Sequence, residues 1–220
     1  GAHHSREVHT TPVTVNEGDN MSATTTSTIL LTKLQREIAE IEIVGTAPLI
    51  VHRWSEKAKL MMLLAQQGKK VPKDPKDPKH DFESSMYRFA DRSHGFPVTA
   101  FKSATVKGAR AFKNVRMTEL RQMLTFLADG YCTDGMQLTR LSTTDPVMRE
   151  DMVRVGMGTA DLRYRAMYEE WSATLRIEYL PTSIDLESIV ALVDAGGMNG
   201  VGEWRPEKSG SFGTYEVMGF

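Results

Sequence analysis

A single cysteine, Cys132, stands in the 220 residues. One thiol excludes an internal disulfide framework and a cysteine zinc cage, and it fits a reducing compartment. Cys132 itself is expected to be a small, buried or half-buried side chain. No apolar run approaches the roughly 18 residues that span a bilayer as a helix; the longest clean one is 60–65. No membrane partner and a cytoplasmic location are therefore expected. Charge of one sign is lacking too, since 27 basic and 28 acidic residues leave a net charge of −1. Bulk charge thus says nothing about a polyanionic partner, and only its distribution can. Walker and dinucleotide fingerprints, a Ser/His/Asp set, a paired-carboxylate motif and His-x-x-x-His spacing are all missing. No cofactor and no metal are expected, and the reading leans away from an enzyme.

What is present is the composition of a globular protein, 40% hydrophobic and 25% charged. The first twenty residues hold His3, His4 and His9 but no apolar periodicity, and Met21-Ser22-Ala23 reads like a natural start. They read as a cloning remnant or an upstream leader. Residues 1–34 are expected to form a disordered tail and 35–220 a single domain.

Ala39, Ile41 and Ile43 alternate with Glu40 and Glu42, the period of a strand. Gly45-Thr46-Ala47-Pro48 interrupts it and Leu49-Ile50-Val51 resumes. Ser55 can cap a helix ending at Gly68. Five lysines between Lys69 and Lys79 sit in a Lys-Asp-Pro repeat, which reads as an exposed, stiff, projecting loop without helix. A short helix is expected over 82–89. A longer one, with Thr99 as its cap, is expected over 100–114. Its periodicity puts Phe101, Thr105, Gly108 and Phe112 on one face and Ser103, Lys107, Arg110 and Asn114 on the other, with Lys102 and Lys113 alongside. Strands are expected over 123–127, 136–141, 148–155, 171–179 and 211–218. Asp185 caps a helix that Gly196-Gly197 would close. This order gives an α+β fold, an antiparallel sheet with helices on one face.

Four constellations could carry function. Residues 95–121 hold six Lys or Arg against one acid, Glu119, a local excess of the kind that attracts phosphate. Six glycines in the eighteen residues 196–213 read as a flexible loop of close backbone approach. Within it Trp204 can stack on a base, and Arg205 and Lys208 can meet phosphate. His52, beside Arg53 and Trp54, is a candidate general base. Finally, alternation puts Asp161, Arg163 and Arg165 on one strand face, with Tyr164 on the other; the arginines meet either a nucleic-acid backbone or Glu169 or Glu170.

Three of these segments, in order, resemble the RAMP superfamily, the RNA-recognition-fold subunits of CRISPR effector complexes. Residues 45–50 are similar to its small-Pro-Leu opening after the first strand. Residues 96–102, followed by Lys107-Gly108-Ala109-Arg110, resemble its Lys-Gly-x-x-Arg helix start, set here about one helical turn further on. Residues 202–215 resemble its C-terminal glycine-rich loop. Similar blocks occur in uncharacterised phage and prophage proteins. The resemblance spans about 38–217 and implies a modified RNA-recognition (ferredoxin-like) fold with inserted loops and side-by-side assembly along a single strand. It implies that Lys102, Lys107 and Arg110 track phosphate, while Trp204, Arg205 and Lys208 close over the strand or meet the next subunit. Some relatives cut RNA with an aspartate after the first strand; here that loop offers His52, Arg53 and Ser55 instead.

Three functions remain open: a non-catalytic binder of single-stranded RNA or DNA that oligomerises along it, a phage structural or interaction subunit, and a metal-independent endoribonuclease using His52.

Overall fold

The computed structural model describes residues 31–54, 56–69, 75–155 and 159–220. The tail expected over residues 1–34 falls largely outside them, as do the expected cap Ser55 and residues 70–74 of the basic loop. The unit Leu34–Phe220 carries every element described below. Its first part runs β1 (Glu37–Gly45), β2 (Leu49–Val51), α1 (Glu56–Gln66), α2 (Pro78–Ser84), β3 (Tyr87–Arg88) and β4 (His94–Pro97). Then come α3 (Val98–Gly108), a 3₁₀ turn (Ala109–Ala111), α4 (Met117–Met123), β5 (Thr125–Leu127), β6 (Gly130–Tyr131), β7 (Gln137–Arg140) and β8 (Ser142–Thr143). The last part is β9 (Val147–Val155), β10 (Thr159–Tyr168), β11 (Trp171–Tyr179), α5 (Leu186–Asn199), a second 3₁₀ turn (Pro206–Lys208) and β12 (Tyr215–Gly219).

The main sheet has the order β12-β1-β11-β5, all antiparallel, with β8 pairing the start of β11. Numbered by chain position, those four strands lie as fourth, first, third, second. α3 and α4 lie between the first two strands in sequence and α5 between the last two. That is the β-α-β-β-α-β ferredoxin-like arrangement, so the expected α+β fold with an antiparallel sheet is the one observed. The insertions are more than loops. Two small sheets, β2-β10-β9 and β3-β4-β7-β6, are built from segments placed between the core elements.

Alternation on β1 and β11 explains how the core forms. Ile41 opposes Leu175 and Ile43 opposes Ala173 on the inner face, where each is almost fully buried. α3 and α5 cover this face with Phe101, Ala104, Ile189, Leu192 and Val193. Fully burying one such large aliphatic or aromatic side chain stabilises by roughly 1.5–3 kcal/mol. Trp171, Phe101 and Tyr215 form a ring cluster with centroids 6.1–6.4 Å apart.

The two helices cross at small residues. A Cβ on Gly108 would lie 2.6 Å from the Leu192 carbonyl oxygen, and one on Gly196 would lie 2.8 Å from the Thr105 nitrogen. This corrects the expected helix end. Gly196 and Gly197 lie inside α5, which continues to Asn199 and stops at Gly200 with φ +69°. Their hydrogens are needed for close approach, which outweighs their low helix propensity. Asp185 does cap α5, accepting from the Ser188 N–H at 2.7 Å.

Other boundaries also move. The short helix starts at Pro78, not Phe82, because Asp77 caps it and accepts from the His80 N–H at 3.0 Å. Proline at the first helical position sacrifices no bond. α3 begins at Val98, with no side-chain cap from Thr99, and ends at Gly108. Phe112 therefore leaves the buried face and stands 41% exposed. α4 occupies Met117–Met123, so the following strand begins only at Thr125, and the last strand begins at Tyr215 rather than Ser211. Cys132 is buried as expected.

Candidate nucleic-acid interface

The outer face of the main sheet is the place where an ordinary RNA-recognition motif would stack bases. Here it carries Glu40, Glu42, Val44, Ser172, Thr174, Arg176, Glu178, Glu216 and Met218. None of these is aromatic, because Phe126, Trp171, Tyr179 and Tyr215 all point into the core. Arg176 is held by Glu40 at 3.5 Å, and Glu178 by Arg36 at 3.1 Å. This face is acidic.

Positive charge gathers on the helix side. Lys102 is half-buried, and Arg110 and Lys113 are exposed around the C-terminal half of α3. With exposed Lys208 they form no ion pair to any described residue. Lys107 is bound to Glu207 at 2.7 Å, and this contact ties the second 3₁₀ turn, with Lys208, to α3. Arg205 is also engaged, at 3.0 Å from Glu207 and donating to the Gly202 carbonyl at 2.8 Å. The bond from Lys107, with Arg205 behind it, holds the Glu207 carboxyl below its usual range. Lys113 stands apart from the glycine loop, lining a cavity of about 510 Å³ beside Asp185 and Ser188.

The glycine loop is not the flexible segment expected. Glu203 N–H donates to Ile50 O at 2.9 Å, Gly213 N–H to Pro48 O at 2.8 Å, and Phe212 N–H to Trp204 O at 3.0 Å. Gly202, at φ +78°, comes so near that a Cβ would lie 2.5 Å from the Ile50 oxygen. The loop is thus stitched across the β1–β2 turn. Trp204, at φ +52°, leaves 39% of its surface exposed beside Arg205 and Lys208.

His52, just after β2, sits where two clefts meet. One, of about 200 Å³, lies between α3 and the glycine loop. The other, of about 440 Å³, lies between α1, α2 and the β9–β10 hairpin, with Trp54, Arg163 and Tyr164 on its walls. Trp54 is 53% exposed. The hairpin register places Asp151 opposite Arg163 and Arg149 opposite Arg165, so Arg163 and Arg165 share a face. Their fates differ. Arg163 is partly exposed and 3.6 Å from Asp161. Arg165 is buried, 3.1 Å from Asp151 and 3.9 Å from Glu203. It has no free face for a phosphate, and its partner is Asp151 rather than Glu169 or Glu170. Of the expected projecting basic loop, residues 70–74 lie outside the described residues, but its end is docked in the same region, since Lys76 is bound to Asp161 and to the Leu162 carbonyl.

Arg165 also donates through Nε to His52 Nδ1 at 3.4 Å. Burial, and then the Arg165 charge, lower the His52 pKa. The imidazole is therefore neutral near pH 7, with Nδ1 accepting and the proton on Nε2. Such a ring offers the cleft a hydrogen-bond donor, and its one basic nitrogen is already engaged. That geometry suits recognition better than general-base catalysis. Sequence reading found His52 but missed Asp151, Glu203 and Tyr164. Only the alternation of β9 hinted at Asp151.

Among the described residues no cluster of His, Cys, Asp or Glu could hold a metal ion, and no helix is long and apolar enough to cross a membrane. No protein-family model matches the chain, and no curated protein matches it. Solved structures do resemble it in outline. A chain of Type III-B Cmr-beta bound to cognate target RNA aligns over 83% of this chain at 10% identity and TM-score 0.46. Cmr6 from Pyrococcus furiosus aligns over 84% at 11% identity and TM-score 0.38. This chain spans 59% of the first of those chains and 100% of the second.

Proposed function

We propose that the chain is a non-catalytic, RAMP-type binder of single-stranded nucleic acid, RNA before DNA, whose copies line up along the strand. The observation that carries this reading is the division of charge across the domain. The outer sheet face is acidic and free of rings. The helix side presents Lys102, Arg110 and Lys208 without ion partners among the described residues, and Trp204 is part-exposed on the glycine loop that carries Lys208. Phosphates follow such cations, and bases stack on exposed rings without regard to sequence. Arg163, Tyr164 and Trp54 extend the path through the cleft at His52. The neutral, arginine-bound His52 supports binding without cleavage.

The experiment is co-migration with labelled 40-nucleotide single strands of RNA and DNA in size exclusion at two salt concentrations. The expected result is a large species with RNA that dissolves at high salt. Absence of co-migration with either strand removes the reading. One observation favours a second reading, a protein-interaction subunit: Leu60, Met62 and Leu63 of α1 are each about half exposed. Oligomers that form equally well without nucleic acid, and no shift with it, would select that alternative.

A further inference from the structure

The cleft of about 200 Å³ between α3 and the glycine loop is smaller than the sites of drug-sized ligands, which start near 300 Å³. Phe96, Pro97 and Ala100 give it an apolar wall, and Val201 lies on the loop side. Tyr87 closes one end, edge-on to Phe96 with centroids 5.8 Å apart, and burial pushes its hydroxyl pKa up to about 12. That hydroxyl stays neutral and donates to the His52 carbonyl at 3.4 Å.

Besides Ser103, Lys107 and Arg205, two polar groups on these walls keep hydrogen-bonding capacity and suit a base edge. The first is His52 Nε2–H, the donor left over once Nδ1 accepts from Arg165. The second is the Glu203 carboxylate. Its backbone is fixed by the bond to Ile50 O, while its side chain is only loosely held, 3.9 Å from Arg165 Nη2. Glu207, by contrast, spends one oxygen on Lys107 and the other on Arg205.

A small cleft that offers a neutral imidazole donor and the loosely held Glu203 carboxylate matches a single nucleobase edge. Guanine O6 accepts from the imidazole N–H, while N1–H and the exocyclic amine give two parallel bonds to a carboxylate. Uracil would place O2 against the second carboxylate oxygen, and adenine and cytosine each present an unprotonated ring nitrogen where guanine has N1–H. We propose that this cleft is a base pocket that takes one guanine of a bound strand, with Glu203 and His52 as its reading residues. The proposal rests on the strand-binding reading above, and it adds sequence preference to an otherwise sequence-tolerant path.

The test is fluorescence anisotropy with 20-nucleotide oligouridylates carrying one central guanosine, adenosine, cytidine or inosine. A good bidentate contact discriminates by about fivefold or more. Guanosine is expected to bind tighter than the adenosine, cytidine and all-uridine strands by that factor, with inosine, which lacks the exocyclic amine, lying in between. Glu203→Gln should bring the guanosine-to-uridine ratio to one. Ser103→Phe should do the same by filling the slot from an exposed position on α3; an unchanged melting temperature would show that the fold is kept. Equal affinity for all four bases overturns the pocket and leaves strand binding standing. Preference for another base overturns the guanine assignment, and failure to bind any strand removes both readings.

Discussion

The two faces of the main sheet are made from the same strands, residue by residue in alternation, yet they do opposite things. Inward, Ile41, Ile43, Leu175 and Ile177 are sealed under α3 and α5. Outward, Glu40, Glu42, Thr174 and Glu216 meet water. The outer face even holds the larger cavity, about 700 Å³ against about 200 and 440 Å³ at the His52 clefts. Its lining includes Glu42 and Asp129 and no aromatic ring. Size alone would favour the sheet side, whereas the unpaired cations and exposed Trp204 behind the proposed interface lie elsewhere. On the proposed reading, the topology keeps its sheet while its ligand lies on the other layer.

The sharpest way to break this comparison is to crowd the inner layer. Gly197→Val drives a side chain into the Tyr215 carbonyl. Overpacking usually costs about 1–3 kcal/mol, and here backbone blocks relief, so a loss of about 3 kcal/mol or more is expected in urea unfolding. An unchanged midpoint would mean that the α5–β12 contact is looser than described. Next come neighbours on β1. Ile41→Ala should cost about 2–5 kcal/mol, whereas Glu40→Ala should stay within about 0.5 kcal/mol. Comparable losses at both positions would erase the distinction between the faces.

Binding sharpens the contrast further. Lys102→Glu with Arg110→Glu should weaken single-strand affinity about tenfold or more and flatten the salt dependence by about two phosphates. Glu40→Lys with Glu42→Lys, on the outer face, should leave affinity within about twofold at physiological salt, where charges beyond roughly 8 Å are screened. A reversed pattern in filter binding would return the ligand to the sheet. Smaller still, Asp185→Ala removes the α5 cap and should cost about 1 kcal/mol, read as a lower melting temperature.

The mildest effect concerns pH. His52 and His94 are both shifted down, chiefly by burial and then by Arg165 and Arg88 respectively. The unfolded chain then takes up their protons first, at about pH 6.5. Stability should be full above that pH and fall as pH drops from there toward the lowered native values. Thermal melts at pH 8 and pH 5.5 check this, and His94→Gln should narrow the difference. An identical drop in the variant would assign the pH dependence to other groups.

Much of this arrangement was legible before any coordinates. Alternation identified β1, β9 and β11, and Asp185 announced the start of α5. The basic excess of 95–121 marked the α3 cations on which the proposed interface rests. What misled was equally physical. Gly196-Gly197 has the chemistry of a helix stop, and only the proximity of Thr105 and Tyr215 reveals it as a contact surface. Arg163 and Arg165 are indistinguishable by type and spacing. One is partly exposed, and the other is sealed beside Asp151 because β9 and β10 pair in one register.

The amino-acid order by itself determined the local periods, the Asp185 cap, the clustering of cations on one segment and the lack of rings on the outer strand positions. These follow from neighbours within a few residues, where side-chain direction and backbone preference act directly. Only the tertiary structure decided which cations are spent. The Lys107–Glu207 and Arg165–Asp151 pairs, the stitching of Glu203 to Ile50 and the cleft at His52 join residues far apart in the chain. Such contacts depend on which strands lie side by side, and that is set by burying the whole inner face at once.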